Sequence, residues 1–154
     1  GPASNSDAIE RKQAFESTLR EHGIEVNDRM YVEGDFSKRC VGAYRQILDQ
    51  NPDLEAVFCV NDESAMGFYE ELDKRGIVPG KDISVLGYDD TIATAKMQPS
   101  LSSVRADFAE LGENAVKMAL RMVYGGQGNL YLEIPSASGL TRRRKQPTKI
   151  LPRQ

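Results

Sequence analysis

The chain has 154 residues, of which 40% are hydrophobic and 28% are charged, as in a single globular domain. Residues 141–154 hold six basic side chains and no acidic one, so the other residues carry a formal charge of −9 within a total of −3. Such an acidic body is a poor surface for non-specific nucleic-acid binding, which depends on Lys and Arg neutralising phosphates. No apolar run approaches the roughly 18 residues of a membrane-spanning helix.

The first hundred residues predict helices that alternate with short strands. A helix is predicted over residues 7–22, because Asp7 and Glu10 have capping-box spacing and Gly23 suits the end of a helix. The elements expected next are a strand at 30–32, a helix at about 38–50, a strand at 56–60, a helix at about 63–75, a strand at 83–86 and a brief helical stretch. This alternation predicts an α/β fold with a parallel sheet that is covered by helices.

Beyond Pro99 the pattern changes. A strand predicted at 101–104 precedes a long amphipathic helix at about 107–124, and a further strand is expected at 131–134. Residues 141–154 are polar and contain prolines, so we expect a flexible basic tail in preference to a nucleic-acid patch.

Three polar loops share one design, since each follows a predicted strand and precedes a predicted helix. The loops begin with Asp35, with Asn61-Asp62 and with Asp89-Asp90. In a parallel sheet all three would emerge at the carboxyl edge of the strands, where open α/β sheets bind ligands. The alternative is that these aspartates only cap helices or form turns, and the residues by themselves leave both interpretations open.

Arg11 lies on the inward stripe of the first predicted helix and is expected to face the same crevice, unless its long side chain snorkels to solvent. Carboxylates accept hydrogen bonds from neighbouring hydroxyls, an Asn side chain both donates and accepts, and Arg offers a planar fork of donors. Phe36 or Tyr88 could cover an apolar ligand face. Such a set suits a sugar, a polyol or a nucleobase-sized polar ligand.

Signals for catalysis are weak. The only histidine, His22, falls at a helix end, and Cys59 falls within a predicted strand, where a thiol is inert. The chain has no GxGxxG loop, no Walker loop and no GxSxG motif. We therefore expect no enzyme, no catalytic residue, no metal site and no cofactor in this chain.

Several segments resemble the LacI/GalR family of transcriptional regulators. In residues 56–67 an apolar strand leads into Asn61-Asp62, followed by a helix start with Ala65 and Gly67, as in the family's pattern. The other matching segments are residues 1–2, 11–15, 33–36, 75–90, 99–105 and 107–112. The resemblance covers roughly residues 1–125, in order and with the family's spacings.

This resemblance implies a periplasmic-binding-protein-like fold, with two α/β subdomains and an effector in the cleft between them. Residues 1–99 would form the C-terminal subdomain without its first strand, and residues 100–126 would supply a strand and a helix of the other subdomain. Residues 127–140 would hold a returning strand. The implied effector contacts, with Asp35 added from the loop pattern, are Arg11, Asp35, Phe36, Asn61, Asp89 and Phe108.

In the implied site Phe36 stacks on the effector, while Arg11, Asn61 and Asp89 form hydrogen bonds with it. Phe108 approaches from the other subdomain. Ala106 stands where many family members have a polar contact residue, so the class of effector stays open.

The resemblance also implies a function and partners. The chain would be the small-molecule sensing part of a cytoplasmic bacterial regulator, present as a homodimer and not associated with a membrane. DNA would be bound only through a headpiece that this chain lacks. The alternatives are a secreted solute-binding protein and a sensor module fused to a signalling enzyme.

Overall fold

The computed structural model describes residues 1–124 and 139–141. The helices in these ranges are α1 (Ser6–Glu21), α2 (Val41–Gln50), α3 (Asp62–Lys74) and α4 (Phe108–Val123). The strands are β1 (Ala56–Phe58), β2 (Ser84–Tyr88), β3 (Ser102–Arg105) and β4 (Gly139–Thr141), and 3₁₀ turns occur at Asp28–Met30 and Ile92–Lys96. All four predicted helices are present, with ends within about three residues of those expected.

The described strands form one sheet in the order β1-β2-β3-β4. β1 pairs with β2 and β2 pairs with β3 in parallel, whereas β4 runs antiparallel to β3. α3 connects the parallel strands β1 and β2, and a segment with one 3₁₀ turn connects β2 to β3. This arrangement confirms the predicted α/β fold with a largely parallel sheet.

Alternation along the strands sends side chains to two helical layers. Val85 of β2 is buried in the cluster formed with α2 and α3. On the opposite face, Phe58 of β1 stacks on Phe15 of α1 at 5.9 Å between ring centroids, and Tyr88 of β2 lies under Arg11 of α1. The sheet is therefore covered on both sides, as its short apolar strands predict.

The best-packed part of the molecule is the layer of α2 and α3. Phe68 and Leu72 of α3 are 1% and 0% exposed, and Leu101, just before β3, is 1% exposed. The rest of this cluster is Tyr44, Ile47, Leu48, Cys59, Ala65, Ile83 and Val85. Burying a side chain of this size contributes about 1.5–3 kcal/mol to the stability of the fold. The cluster therefore fixes the strands and helices from which the loops of the carboxyl edge extend.

The predicted strand at 30–32 is wrong. Residues 28–30 form a 3₁₀ turn, and Tyr31 has extended backbone angles of φ −128° and ψ 142° but belongs to no strand. A strand needs a hydrogen-bonded neighbour about 4.8 Å away. Instead, Tyr31 and Phe58 of β1 both line a cavity of about 1010 Å³, so the apolar pattern yields an extended but unpaired segment.

A smaller correction concerns the start of α1. The cap is Asn5, whose side chain accepts a hydrogen bond from the Ala8 amide at 2.9 Å, and Asp7 lies inside the first turn. The strand predicted at 131–134 and the basic residues 142–154 lie outside the described residues. Thr141, placed in the tail from sequence, is the last residue of β4. None of the described helices is both long and apolar enough to cross a bilayer.

Candidate ligand-binding site

The carboxyl edge of the sheet collects the predicted site from three strands. β1 ends just before Asn61, β2 leads into Asp89, and β3 leads toward Phe108. Since the three strands are parallel neighbours, their following loops emerge side by side.

Arg11 reaches this edge from α1, which packs on one face of the sheet. Its Nη1 atom donates a hydrogen bond to the carbonyl oxygen of Val60 at 2.8 Å, and its guanidinium carbon lies 3.9 Å from the centroid of the Tyr88 ring. A cation over an aromatic face gains about 0.5–1 kcal/mol or more. Arg11 therefore turns inward toward the loops after β1 and β2 and does not snorkel away from them.

Asn61 has two structural bonds of its own. Its Oδ1 atom accepts a hydrogen bond from the Ser64 amide at 2.9 Å and so caps α3, while its Nδ2 atom donates to the Phe36 carbonyl at 3.0 Å. The amide group thereby links the loop after β1 to the loop that holds Phe36.

Phe36 adopts a left-handed backbone conformation with φ 67°, which is uncommon for a residue that is not glycine. Its ring is half-buried and lies close to Gly1, where an added Cβ would come within 3.0 Å of two ring carbons. The neighbouring Asp35 is exposed and accepts a hydrogen bond from the Ser37 amide at 3.0 Å. This bond, the main cause, holds the pKa of Asp35 below its usual value and matches the turn-forming interpretation.

Asp89 is a half-buried carboxylate with an uncommon backbone conformation. Its backbone has φ 106°, and the next residue, Asp90, has φ 50°. Burial raises the pKa of Asp89, the negative charge of Asp62 raises it further, and the positive charge of Arg11 opposes both. A half-buried carboxylate between a like and an opposite charge is typical of a functional site.

Asp62 and Ser103 are the residues of this edge whose roles sequence reasoning missed. Asp62 is fully buried and accepts hydrogen bonds from the Thr91 amide at 2.7 Å and from the Ser103 hydroxyl. Asp62 and Ser103 lie 41 residues apart in the chain, and no spacing rule connects an aspartate at the start of a helix with a serine in a strand.

Phe108 stands apart from the other candidates. It opens α4 at the same edge but is 59% exposed, and no described contact joins its ring to Arg11, Asn61 or Asp89. The cavity of about 1010 Å³ is lined by Arg11 and by residues of β1, but not by Phe36, Asn61 or Asp89. Within the described residues, no group of three or more side chains is arranged to hold a metal ion.

The assembled groups can bind but show no nucleophile aligned with a base. Cys59, just beyond β1, is buried, and burial raises the pKa of its thiol to about 12, so it stays protonated. His22 ends α1, with its Nδ1 atom 2.8 Å from the Thr18 carbonyl oxygen. A carboxylate, a guanidinium and an amide at one crevice can together recognise adjacent hydroxyl groups.

Comparisons with known proteins agree with this architecture. A profile of the periplasmic binding protein-like domain family matches residues 1–144. The HTH-type transcriptional repressor PurR of Vibrio atlanticus is 32% identical over 124 residues, which are 80% of this chain and 37% of that protein.

Two solved regulators share the fold. The transcriptional regulator CelR in complex with cellobiose matches with a TM-score of 0.78 and 27% identity over 83% of this chain and 39% of that chain. The dimeric Lac repressor matches with a TM-score of 0.72 and 29% identity, over 81% of this chain and 46% of that chain. This chain spans less than half the length of each of these relatives. The chain belongs to the periplasmic binding protein-like domain family, in the form that LacI-type transcriptional regulators carry.

Proposed function

We propose that this chain is the effector-sensing part of a LacI-type transcriptional regulator and that it binds a sugar or a similar polar molecule at the carboxyl edge of its sheet. The observation that carries the proposal is the convergence of Arg11, Asn61 and Asp89, which come from α1 and from the loops after β1 and β2. The named relatives support it, because one is a transcriptional repressor and another is a regulator complexed with cellobiose.

In the proposed site the ionised Asp89 accepts hydrogen bonds from two neighbouring hydroxyls, and Arg11 and Asn61 supply donors to ring or hydroxyl oxygens. Phe36 provides an apolar face for stacking, and Phe108 closes over the effector from the side of α4. Asp35 contributes a further acceptor at the rim. The chain thus acts by binding, with no catalytic residue, cofactor or metal.

The proposed domain arrangement assigns residues 1–99 to the subdomain that holds the site, and residues 100–126 to a strand and helix that pack with the other subdomain. Within the described residues, β4 (Gly139–Thr141) returns to the sheet antiparallel to β3. An effector that binds the closed arrangement of the subdomains more tightly than the open one shifts the population between them. The shift would alter DNA binding by a headpiece elsewhere in the protein, a cytoplasmic homodimer like the dimeric Lac repressor.

A thermal-shift screen of the full-length gene product tests the proposal. Cellobiose, ribose, sorbitol, adenine and alanine represent the sugar, polyol, nucleobase and amino-acid classes. A compound present at 100 times its Kd should stabilise the protein by about 2.7 kcal/mol, which is readily visible. A folded protein that responds to no compound of these classes contradicts the sensor function.

Asp89→Asn tests the site with the compound that gives the largest shift. The substitution keeps the shape but replaces one acceptor oxygen with a donor, so the affinity should fall at least tenfold, about 1.4 kcal/mol. Asp73→Asn, at an exposed position of α3, is the matched control and should bind as the unmodified protein does. Unchanged affinity in Asp89→Asn would show that the site lies elsewhere.

A further inference from the structure

The loop after β2 is held in a conformation that its residues do not favour. Asp89 and Asp90 both have positive φ values, 106° and 50°. Residues other than glycine populate this region sparsely, and such a conformation persists only when the surroundings determine it. Some part of the structure must therefore hold the loop in place.

Three consecutive backbone amides of this loop each have an acceptor on another element. The Asp89 amide donates to the Val104 carbonyl at 2.8 Å, and the Asp90 amide donates to the Ser103 hydroxyl at 3.0 Å. The Thr91 amide donates to Asp62 Oδ2 at 2.7 Å. One bond is part of the sheet, whereas the other two depend on side chains.

Both of those side-chain bonds lead to Asp62. Its other oxygen, Oδ1, accepts a hydrogen bond from the Ser103 hydroxyl. This bond orients the hydroxyl oxygen of Ser103, which in turn accepts the hydrogen bond from the Asp90 amide. The carboxylate fits because residue 87 is glycine, where an added Cβ would lie only 2.5 Å from Asp62 Oδ1. Asp62 itself is 0% exposed, so it does not face a ligand in the crevice.

We propose that Asp62 is a positioning residue: through the Thr91 amide and Ser103 it holds the backbone of residues 89–91 so that the Asp89 carboxylate points into the effector site. The inference rests on the proposed function for the identity of the site, but the loop contacts themselves do not. Asn61 contacts the effector in this scheme, and its neighbour Asp62 sets the geometry of the opposite loop.

The charges around Asp89 provide a readout that mere loss of stability would not change. Asp62 of α3 and Arg11 of α1 are the charged groups that act on Asp89. The Oδ2 atom of the adjacent Asp90 lies 3.9 Å from Nη1 of Arg105 in β3. Because the Asp62 charge raises the pKa of Asp89, its removal should lower that pKa. Binding that requires an ionised Asp89 should then persist to lower pH.

Hydrogen exchange in the 154-residue chain tests the loop without any ligand. In Asp62→Asn the amide nitrogen cannot accept, so either Thr91 or Ser103 loses its acceptor. Protection of the peptide covering residues 89–91 should fall at least tenfold, while α3 remains protected. Ser103→Ala should expose the same peptide less strongly. Asp82→Asn, which alters a loop carboxylate that accepts the Val78 amide at 2.8 Å, is the control and should leave the peptide unchanged.

The second measurement is the affinity of the full-length gene product for cellobiose, or for the screened compound with the largest thermal shift, between pH 4 and pH 8. Asp62→Asn should weaken binding about tenfold at neutral pH. The pH at which binding is lost on acidification should be lower in this variant than in the unmodified protein. Ser103→Ala should weaken binding without that pH displacement, because it removes no charge.

The outcomes separate the two proposals. If the unmodified protein binds none of the screened compounds, the proposed function fails, and the exchange experiment still decides the role of Asp62 in the loop. If exchange of residues 89–91 is the same in Asp62→Asn, Ser103→Ala and the unmodified chain, the positioning role is overturned. Normal affinity and an unmoved pH profile in Asp62→Asn overturn it as well. If Asp62→Asn does not fold, the Ser103→Ala result decides.

Discussion

Helices α3 and α4 are built from the same kind of sequence and yet differ in their surroundings. Each begins at a polar cap, with Asn61 accepting from the Ser64 amide and Asp107 from the Ala109 and Glu110 amides. Each has an apolar face. In α3 that face is closed against the sheet and α2, with Leu72 at 0% exposure, whereas none of the residues of α4 is buried and Leu120 is 49% exposed.

The difference teaches that a helix and its burial have separate causes. Capping and periodicity act within one turn or two, and both helices satisfy them. Burial needs a second surface, which α2 and β2 supply to α3 inside this chain. In our proposal the matching surface for α4 is the other subdomain. Three matched pairs of substitutions sharpen the contrast in the 154-residue chain.

The largest effect should come from removing the same side chain in the two helices. Leu72→Ala leaves a cavity in the core and should lower the free energy of unfolding by about 2–5 kcal/mol. Leu120→Ala removes a half-exposed side chain and should change it by less than about 0.5 kcal/mol. Urea denaturation measures both. Equal losses would mean that α4 is packed against the chain after all.

The second pair adds a methyl group to a glycine of each helix. At Gly67 a Cβ would overlap the Lys38 carbonyl and lie 2.6 Å from a Tyr44 ring carbon, whereas at Gly112 nothing lies within 4 Å. Gly67→Ala should therefore destabilise by about 1–3 kcal/mol. Gly112→Ala should stabilise α4 by about 0.4–1 kcal/mol, because alanine favours the helix. Opposite signs in thermal unfolding are expected, and a stabilising Gly67→Ala would contradict the close packing of α3 on residue 38.

The third and smallest effect concerns pH. Glu71 of α3 is buried, which by itself raises its pKa, but hydrogen bonds and charges from Arg45 and Lys74 outweigh burial and lower the pKa below its usual value. A lowered pKa in the folded state gives stability that is present above the unfolded value, 4.5, and is lost as pH falls through the folded value.

Glu71→Gln should accordingly flatten the fall in unfolding free energy between pH 6 and pH 3. Glu113→Gln, in an exposed pair with Lys117 at 3.2 Å on α4, should leave the curve as it is. Chemical denaturation at several pH values gives the comparison. A steeper curve in Glu71→Gln would show that burial outweighs the basic partners.

Local patterns determined much of this protein. The four helices, the strands at the sheet centre and the position of the polar loops follow from capping residues, apolar periodicity and glycine stops, which depend on neighbours in the chain. Asn61 and Asp89 could be assigned to one edge because consecutive parallel strands present their carboxyl ends together.

Only the tertiary structure decided the contacts between distant segments. It left Tyr31 extended but unpaired, since strand formation requires a neighbour that no local pattern can supply. It placed Arg11 of α1 over Tyr88 of β2 and brought Asp62 of α3 to Ser103 of β3. Each of these pairs exists only because a helix packs on the sheet. The sequence by itself determined where the helices form and which residues are polar at the ends of the strands. The fold decided which extended segments pair and which of those polar residues meet.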